Sequence, residues 1–341
     1  MKLWFNILIR CLAILGPVGA LACNVPVFRY ALERWPADNF EVTILRRGAL
    51  PAPEQAVADA MKEASEKYAA NFTLAVVDVP GPTNFPLPSL TVNFPVDRGM
   101  ETAAWRGPFT AATGRLLLDS PVRRELARRI VKGDAVVWLL LDGDAAANKL
   151  LDTALRKLEQ EITVPEVDPN DPRTMGNTEL KIAFSVLPMT RTDPAEKLFV
   201  AMLLNAAPSL TNAAGPVAFP VFGRGRLLAV LAGKDLNAEN IVAVTEYLCG
   251  ACSCEIKAQN PGMDLLLAVN WEEAIEQRVI QDTPLPPLVS LSTLAAAAQP
   301  SASPPAAAAA GGLRRNLILV LAIVLGVAVL GTLVFQRRQR S

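Results

Sequence analysis

The stretch Leu248-Cys249-Gly250-Ala251-Cys252-Ser253-Cys254-Glu255 places three of the chain's five cysteines within six positions, in a sequence of 341 residues with no histidine. The C-x-x-C-x-C spacing supports three chemistries. Paired sulfurs make disulfides, a thiol of lowered pKa performs exchange, and several thiolates together hold Cu(I) or zinc. Cys23 offers a fourth sulfur, whereas Cys11 lies in the N-terminal apolar segment. The lack of histidine rules out a Ser-His-Asp or Cys-His catalytic array within this chain, along with any histidine-ligated zinc, copper or haem.

Which thiol chemistry applies depends on the compartment. Residues 1–22 carry Lys2 and Arg10, then an apolar run, then Pro17, Gly19 and Ala20-Leu21-Ala22, the pattern of a cleavable signal peptide. Residues 316–335 are uncharged and almost wholly apolar for 20 positions, the length of a helix that crosses a hydrocarbon core about 30 Å thick. Residues 295–315, rich in Ala, Pro and Ser, cannot bury a core and read as a tether, and residues 336–341 form an Arg tail. The expected protein is therefore a single-pass membrane protein of bacterial type, its body on the periplasmic side and its C-terminus cytoplasmic.

An oxidising location favours disulfides among Cys23, Cys249, Cys252 and Cys254. If the helix ending at Cys249 runs one more turn, Cys249 and Cys252 stand i, i+3, and Cys254 is left to reach Cys23. Thiol exchange, a thiolate–metal site and lipidation of Cys23 remain alternatives. Beyond these cysteines the sequence implies no catalytic, cofactor-binding or metal-binding residue and no cofactor.

Charge narrows the partners. Seven of the 33 basic residues lie in the terminal segments and no acid does, so residues 23–313 hold 26 basic against 33 acidic residues, net −7. Nucleic acid, which needs clustered Lys and Arg, is excluded as a partner. The densest basic cluster, Arg123-Arg124, Arg128-Arg129 and Lys132, has helical spacing and reads as a solvated face. The partners expected are the membrane and an unidentified extracytoplasmic protein or ligand.

These groups need elements to position them, and the patterning calls for an α/β body. Strand, helix and strand follow one another at 41–47, 53–70 and 71–79, which favours a parallel pair; residues 80–110 are a Pro-rich passage. A Ser120-capped helix, a buried-type strand at 135–143 and an Asp144-capped helix to 162 come next. Residues 164–177 read as a linker between an exported lobe (23–163) and a second lobe (178–294). The second lobe has a strand, a helix, a hairpin turning at Gly223-Arg224-Gly225 and a helix capped by Asn237. Asp78, Asp142 and Asp144 fall at strand C-termini, where open α/β sheets place ligand sites, but turn and cap roles account for them better.

The run of strand, helix, Pro-preceded hairpin and helix over residues 179–250, with Pro216 or Pro220 entering the hairpin, resembles the C-terminal part of the thioredoxin-like superfamily. The resemblance implies a thioredoxin-like α/β sandwich. That family carries its redox cysteines after the first strand, and the stretch taken as corresponding, Leu187-Pro188-Met189-Thr190-Arg191-Thr192, has none. A binding or scaffolding module is thus expected rather than an enzyme; the alternative is a tethered thiol oxidoreductase or a copper or zinc carrier.

Gly311-Gly312, the apolar helix and the Arg tail also resemble a bacterial C-terminal sorting signal, but Arg314 and Arg315 interrupt it, so permanent anchoring is expected. A reporter fused after Ser341 should be cytoplasmic, and protease added outside should release a soluble body. A C-terminus found outside refutes this topology.

Overall fold

The computed structural model describes residues 25–67, 69–100, 102–163, 182–207, 210 and 214–275. The expected leader, Cys23, the linker, the tether, the membrane span and the Arg tail lie outside these residues. Among the described residues no helix is long and apolar enough to cross a membrane. The described chain is mixed α/β and contains two sheets.

After α1 (Val27–Arg34), the first sheet and its helices comprise β1 (Phe40–Arg46), α2 (Ala52–Glu66), β2 (Phe72–Asp78), β3 (Ser89–Asn93), β4 (Ala103–Pro108) and α3 (Ala111–Leu118). The strand order is β2-β1-β3-β4. β1 and β2 form the expected parallel pair, from Phe40 beside Phe72 to Arg46 beside Asp78. β3 and β4 lie inside the passage read as Pro-rich coil. Pro88 just precedes β3 and Pro108 ends β4, positions where a missing N–H costs the ladder little.

Among the described residues this sheet is covered by helices on one face only. Phe40, Val42 and Ile44 of β1 are buried with Phe72, Leu90 and Val92 against Val57 and Met61 of α2 and Leu117 of α3. Thr43 and Leu45 alternate with them and point to the opposite face, as a period of two requires.

The second sheet is covered on both. Its elements are α4 (Pro121–Lys132), β5 (Val136–Leu141), α5 (Ala145–Glu161), β6 (Phe184–Met189), α6 (Lys197–Ala206), β7 (Val217–Phe222), β8 (Arg226–Leu227), β9 (Leu231–Ala232), α7 (Ala238–Cys249), α8 (Cys254–Gln259) and β10 (Met263–Asp264). The order is β10-β8-β7-β5-β6, with β9 also against β7. Trp138 and Leu140 of β5 pack against α1, α5 and α7, while Val137, Leu139 and Leu141 pack against α4 and α6. A strand apolar on both faces belongs at the centre of such a sheet. β5 accordingly runs parallel to β6 and antiparallel to β7. Sheet membership therefore changes between α3 and α4: β5 and α5, which precede residues 164–177, belong to the second sheet. The expected hairpin turn stands at residues 223–225, where Gly223 and Gly225 have φ of 57° and 90°.

Buried polar groups join the two sheets. Arg226, 1% exposed, donates to Asp264 at 2.7 Å, to Asp38 at 3.1 Å and to the Asn260 carbonyl at 3.1 Å, and its guanidinium lies over Trp35. Arg98, from the β3–β4 connection, grips both carboxylate oxygens of Asp38 at 2.8 Å. Asn71 donates to the Asp38 and Leu265 carbonyls and accepts from the Leu267 N–H. Leu198 and Met202 of α6, with Leu266, complete the core of the first sheet.

Arg123 corrects the reading of the basic cluster as solvated. It is 3% exposed, donates to the Leu116, Leu117 and Leu266 carbonyls, and so caps the C-terminus of α3. Burial lowers its pKa to about 10. Arg124 and Arg128 do face solvent.

Burial pushes Asp264 up to about 6 despite the charge of Arg226, while at Asp38 the hydrogen bonds from Arg98 and the charge of Arg226 outweigh burial and lower the pKa. Asp264 therefore contributes stability that is fully present below about pH 4 and lost as pH rises through about 6. Native protein should lose up to about 3 kcal/mol relative to Asp264→Asn between pH 4 and 7. Denaturant unfolding of both across that range is the check; parallel pH profiles contradict it.

Candidate functional site

In the first sheet the segment between β2 and β3, Pro80-Gly81-Pro82-Thr83-Asn84-Phe85-Pro86-Leu87-Pro88, is too rich in proline to form a helix. Among the described residues no helix covers the second face of β1 and β3, and the segment instead folds over the C-terminal end of β1. Phe85, 42% exposed, and Pro86 stand between two cavities. One, of about 270 Å³, is floored by Leu45, Ser89 and Thr91 and closed by Arg106 and Pro108. The other, of about 330 Å³, is bounded by Arg46, Arg47, Leu50, Pro51 and Thr83.

The second cavity lies where β1 delivers the chain to α2, at the C-terminal ends of two parallel strands. α2 opens on Pro51 with no side-chain cap. Gly48, at φ 67°, turns the loop, and its N–H reaches Asp78 at 3.5 Å. Arg47 is held by the Val79 and Gly81 carbonyls. Among the described residues the Nε of Arg46 is buried with no hydrogen-bond partner, and no carboxylate lines either cavity. A buried donor left unsatisfied costs about 1–3 kcal/mol, more when charged.

The three aspartates singled out in the sequence are not brought together as a site. Asp144 caps α5 by accepting from the Ala147 N–H at 2.7 Å. Asp142, at φ 50°, accepts from the Arg191 N–H at 2.9 Å and pairs with its guanidinium. Asp78 ends β2 at the edge of the basic cavity. The ends of the two sheets thus differ: that of β5 is neutralised by Asp142 and Arg191, that of β1 is basic and open. Arg46 and Arg47 were missed in the sequence. Their only signal there is two adjacent arginines at the end of an alternating strand.

The cysteine cluster lies elsewhere, beside α1. Gly250 is extended at φ −69° and ψ 164°, so α7 stops at Cys249 and the further turn expected to set Cys249 and Cys252 at helical spacing is not formed. Backbone hydrogen bonds tie this end of the body instead: Val27 N–H to the Gly250 carbonyl at 3.0 Å, and Cys252 N–H to the Val25 carbonyl at 2.9 Å. Cys249 and Cys252 are buried in the core under α1, and Cys254 is exposed at the start of α8. Cys249 and Cys254 carry free thiols, and Cys23, the expected partner of Cys254, lies outside the described residues. Burial pushes the Cys249 thiol up to about 12. Among the described residues no three Cys, His, Asp or Glu side chains converge as a metal site.

No protein-family model matches this chain, and no curated protein or solved structure matches it.

Under native conditions N-ethylmaleimide should label Cys254 within minutes and spare Cys249 until the protein unfolds, because attack requires a thiolate. Mass spectrometry of the labelled peptides tests this, and fast native labelling of Cys249 would restore the exchange reading.

Proposed function

We propose that this chain is an exported, membrane-anchored binding module whose ligand site is the cleft around Phe85. The carrying observation is the sheet face that no described helix covers, with one cavity on it and a second adjoining it at the end of β1. A concave, partly apolar site with a few polar groups, at the C-terminal ends of parallel strands, is where open α/β sheets take ligands. The leader, tether and span read from the sequence support a location of this cleft outside the cytoplasm.

The fold reading that goes with it is a tandem of two thioredoxin-like units. In its support, β2-β1-β3-β4 and β6-β5-β7-β8 repeat one order, each with a parallel pair followed by antiparallel strands. On this reading the family's redox position falls at residues 47–51 and 142–144 rather than at 187–192, and neither stretch holds a cysteine. The alternative of thiol exchange or thiolate–metal transport at residues 249–254 is disfavoured by the burial and high pKa of Cys249.

A thermal-shift screen of small apolar fragments against the full chain in nanodiscs tests the binding role. Fragments that stabilise the native protein should lose that effect in Thr91→Phe, which fills the apolar cavity, and keep it when Cys249, Cys252 and Cys254 are replaced by alanine. Fragment effects abolished by the cysteine replacements and untouched by Thr91→Phe would refute it.

A further inference from the structure

We propose that the basic cavity beside Phe85 binds an oxyanion, a carboxylate or phosphate, carried on a small ligand whose apolar body lies in the neighbouring cavity. This rests on the cleft being the ligand site and adds the class of ligand. Arg46 supplies the reason: among the described residues its side chain makes no hydrogen bond or ion pair, although its Nε is closed off from water. Folding has brought this guanidinium to a cavity wall without closing a salt bridge on it, although Asp78 stands opposite on β2. Arg47 stands beside Arg46, its guanidinium oriented by two carbonyls, and Arg106 borders the neighbouring apolar cavity. The nearest acid, Asp78, faces the Gly48 N–H at the loop edge and is not part of either lining.

A guanidinium offers paired donors that match the two oxygens of a carboxylate or phosphate. Phe85 and Pro86 border both cavities, so one small molecule can place its charged end at Arg46 and its apolar end against Leu45 and Pro108. The body's net −7 makes this basic recess a local exception that repels neither carboxylates nor phosphates.

Titration calorimetry on the full chain in phosphatidylcholine nanodiscs, with phenyl phosphate, inorganic phosphate and benzyl alcohol as probes, decides the matter. Phenyl phosphate should bind about tenfold more tightly than either other probe, as one charge-assisted hydrogen-bonding group contributes. Arg46→Met should remove that advantage, Arg46→Lys should keep charge and fold and still weaken phenyl phosphate, and Thr91→Phe should reduce it to the level of inorganic phosphate. Benzyl alcohol binding as tightly as phenyl phosphate, indifferent to Arg46→Lys, would leave a ligand cleft and overturn the oxyanion. Failure of all three probes to bind, with fragments also inert in the thermal-shift screen, would overturn both.

Discussion

The guanidinium of Arg226 is shut off from water, and a charge buried in this way is tolerated only when carboxylates meet it. The two that meet it come from opposite ends of the body, Asp38 before β1 and Asp264 on β10. Satisfying one guanidinium therefore brings the first sheet to the second. Arg98 and Asn71 complete the arrangement from the first sheet, Arg98 by donating to the Asn260 carbonyl and Asn71 by bonding Leu265 and Leu267. Removing one member of such a set costs about 3–5 kcal/mol, because the remaining charge is stranded. Arg123, bonded to carbonyls of α3 and of Leu266, makes a second tie of the same kind.

With the sheets held in this way, their unequal cover becomes the property that matters for function. The second sheet has helices on both faces, and its central strands are apolar throughout. The first has helices on one, since a proline-rich segment replaces whatever might have covered the other. The exposed face then acquires shape from Phe85 and Pro86 and charge from Arg106, while Arg46 and Arg47 line the adjoining cavity where β1 turns into α2. A cleft results from a missing layer rather than from added loops.

The cysteine cluster takes on a different role from the one its spacing suggests. α7 ends at Cys249 because Gly250 is extended, and the chain after it pairs by backbone with residues 25–27. Cysteines that look like a motif in sequence are separated by environment, with two in an apolar core and one facing solvent.

Much of this was legible from residues alone. FEVTILR alternates and became a half-covered strand, VVWLLL does not and became a central one, and Ser120, Asp144 and Asn237 cap the helices they precede. Local periodicity and capping depend on neighbours within a few residues, which is why they can be read in this way. β3 and β4 were not legible, because prolines at their ends imitate coil. Nor was the partition of strands between the sheets, which depends on pairing across the chain from β5 to β7. The cleft was least legible of all: Arg46 and Arg47 are an ordinary strand end until tertiary structure denies Arg46 a partner, and no local pattern encodes the absence of a distant carboxylate.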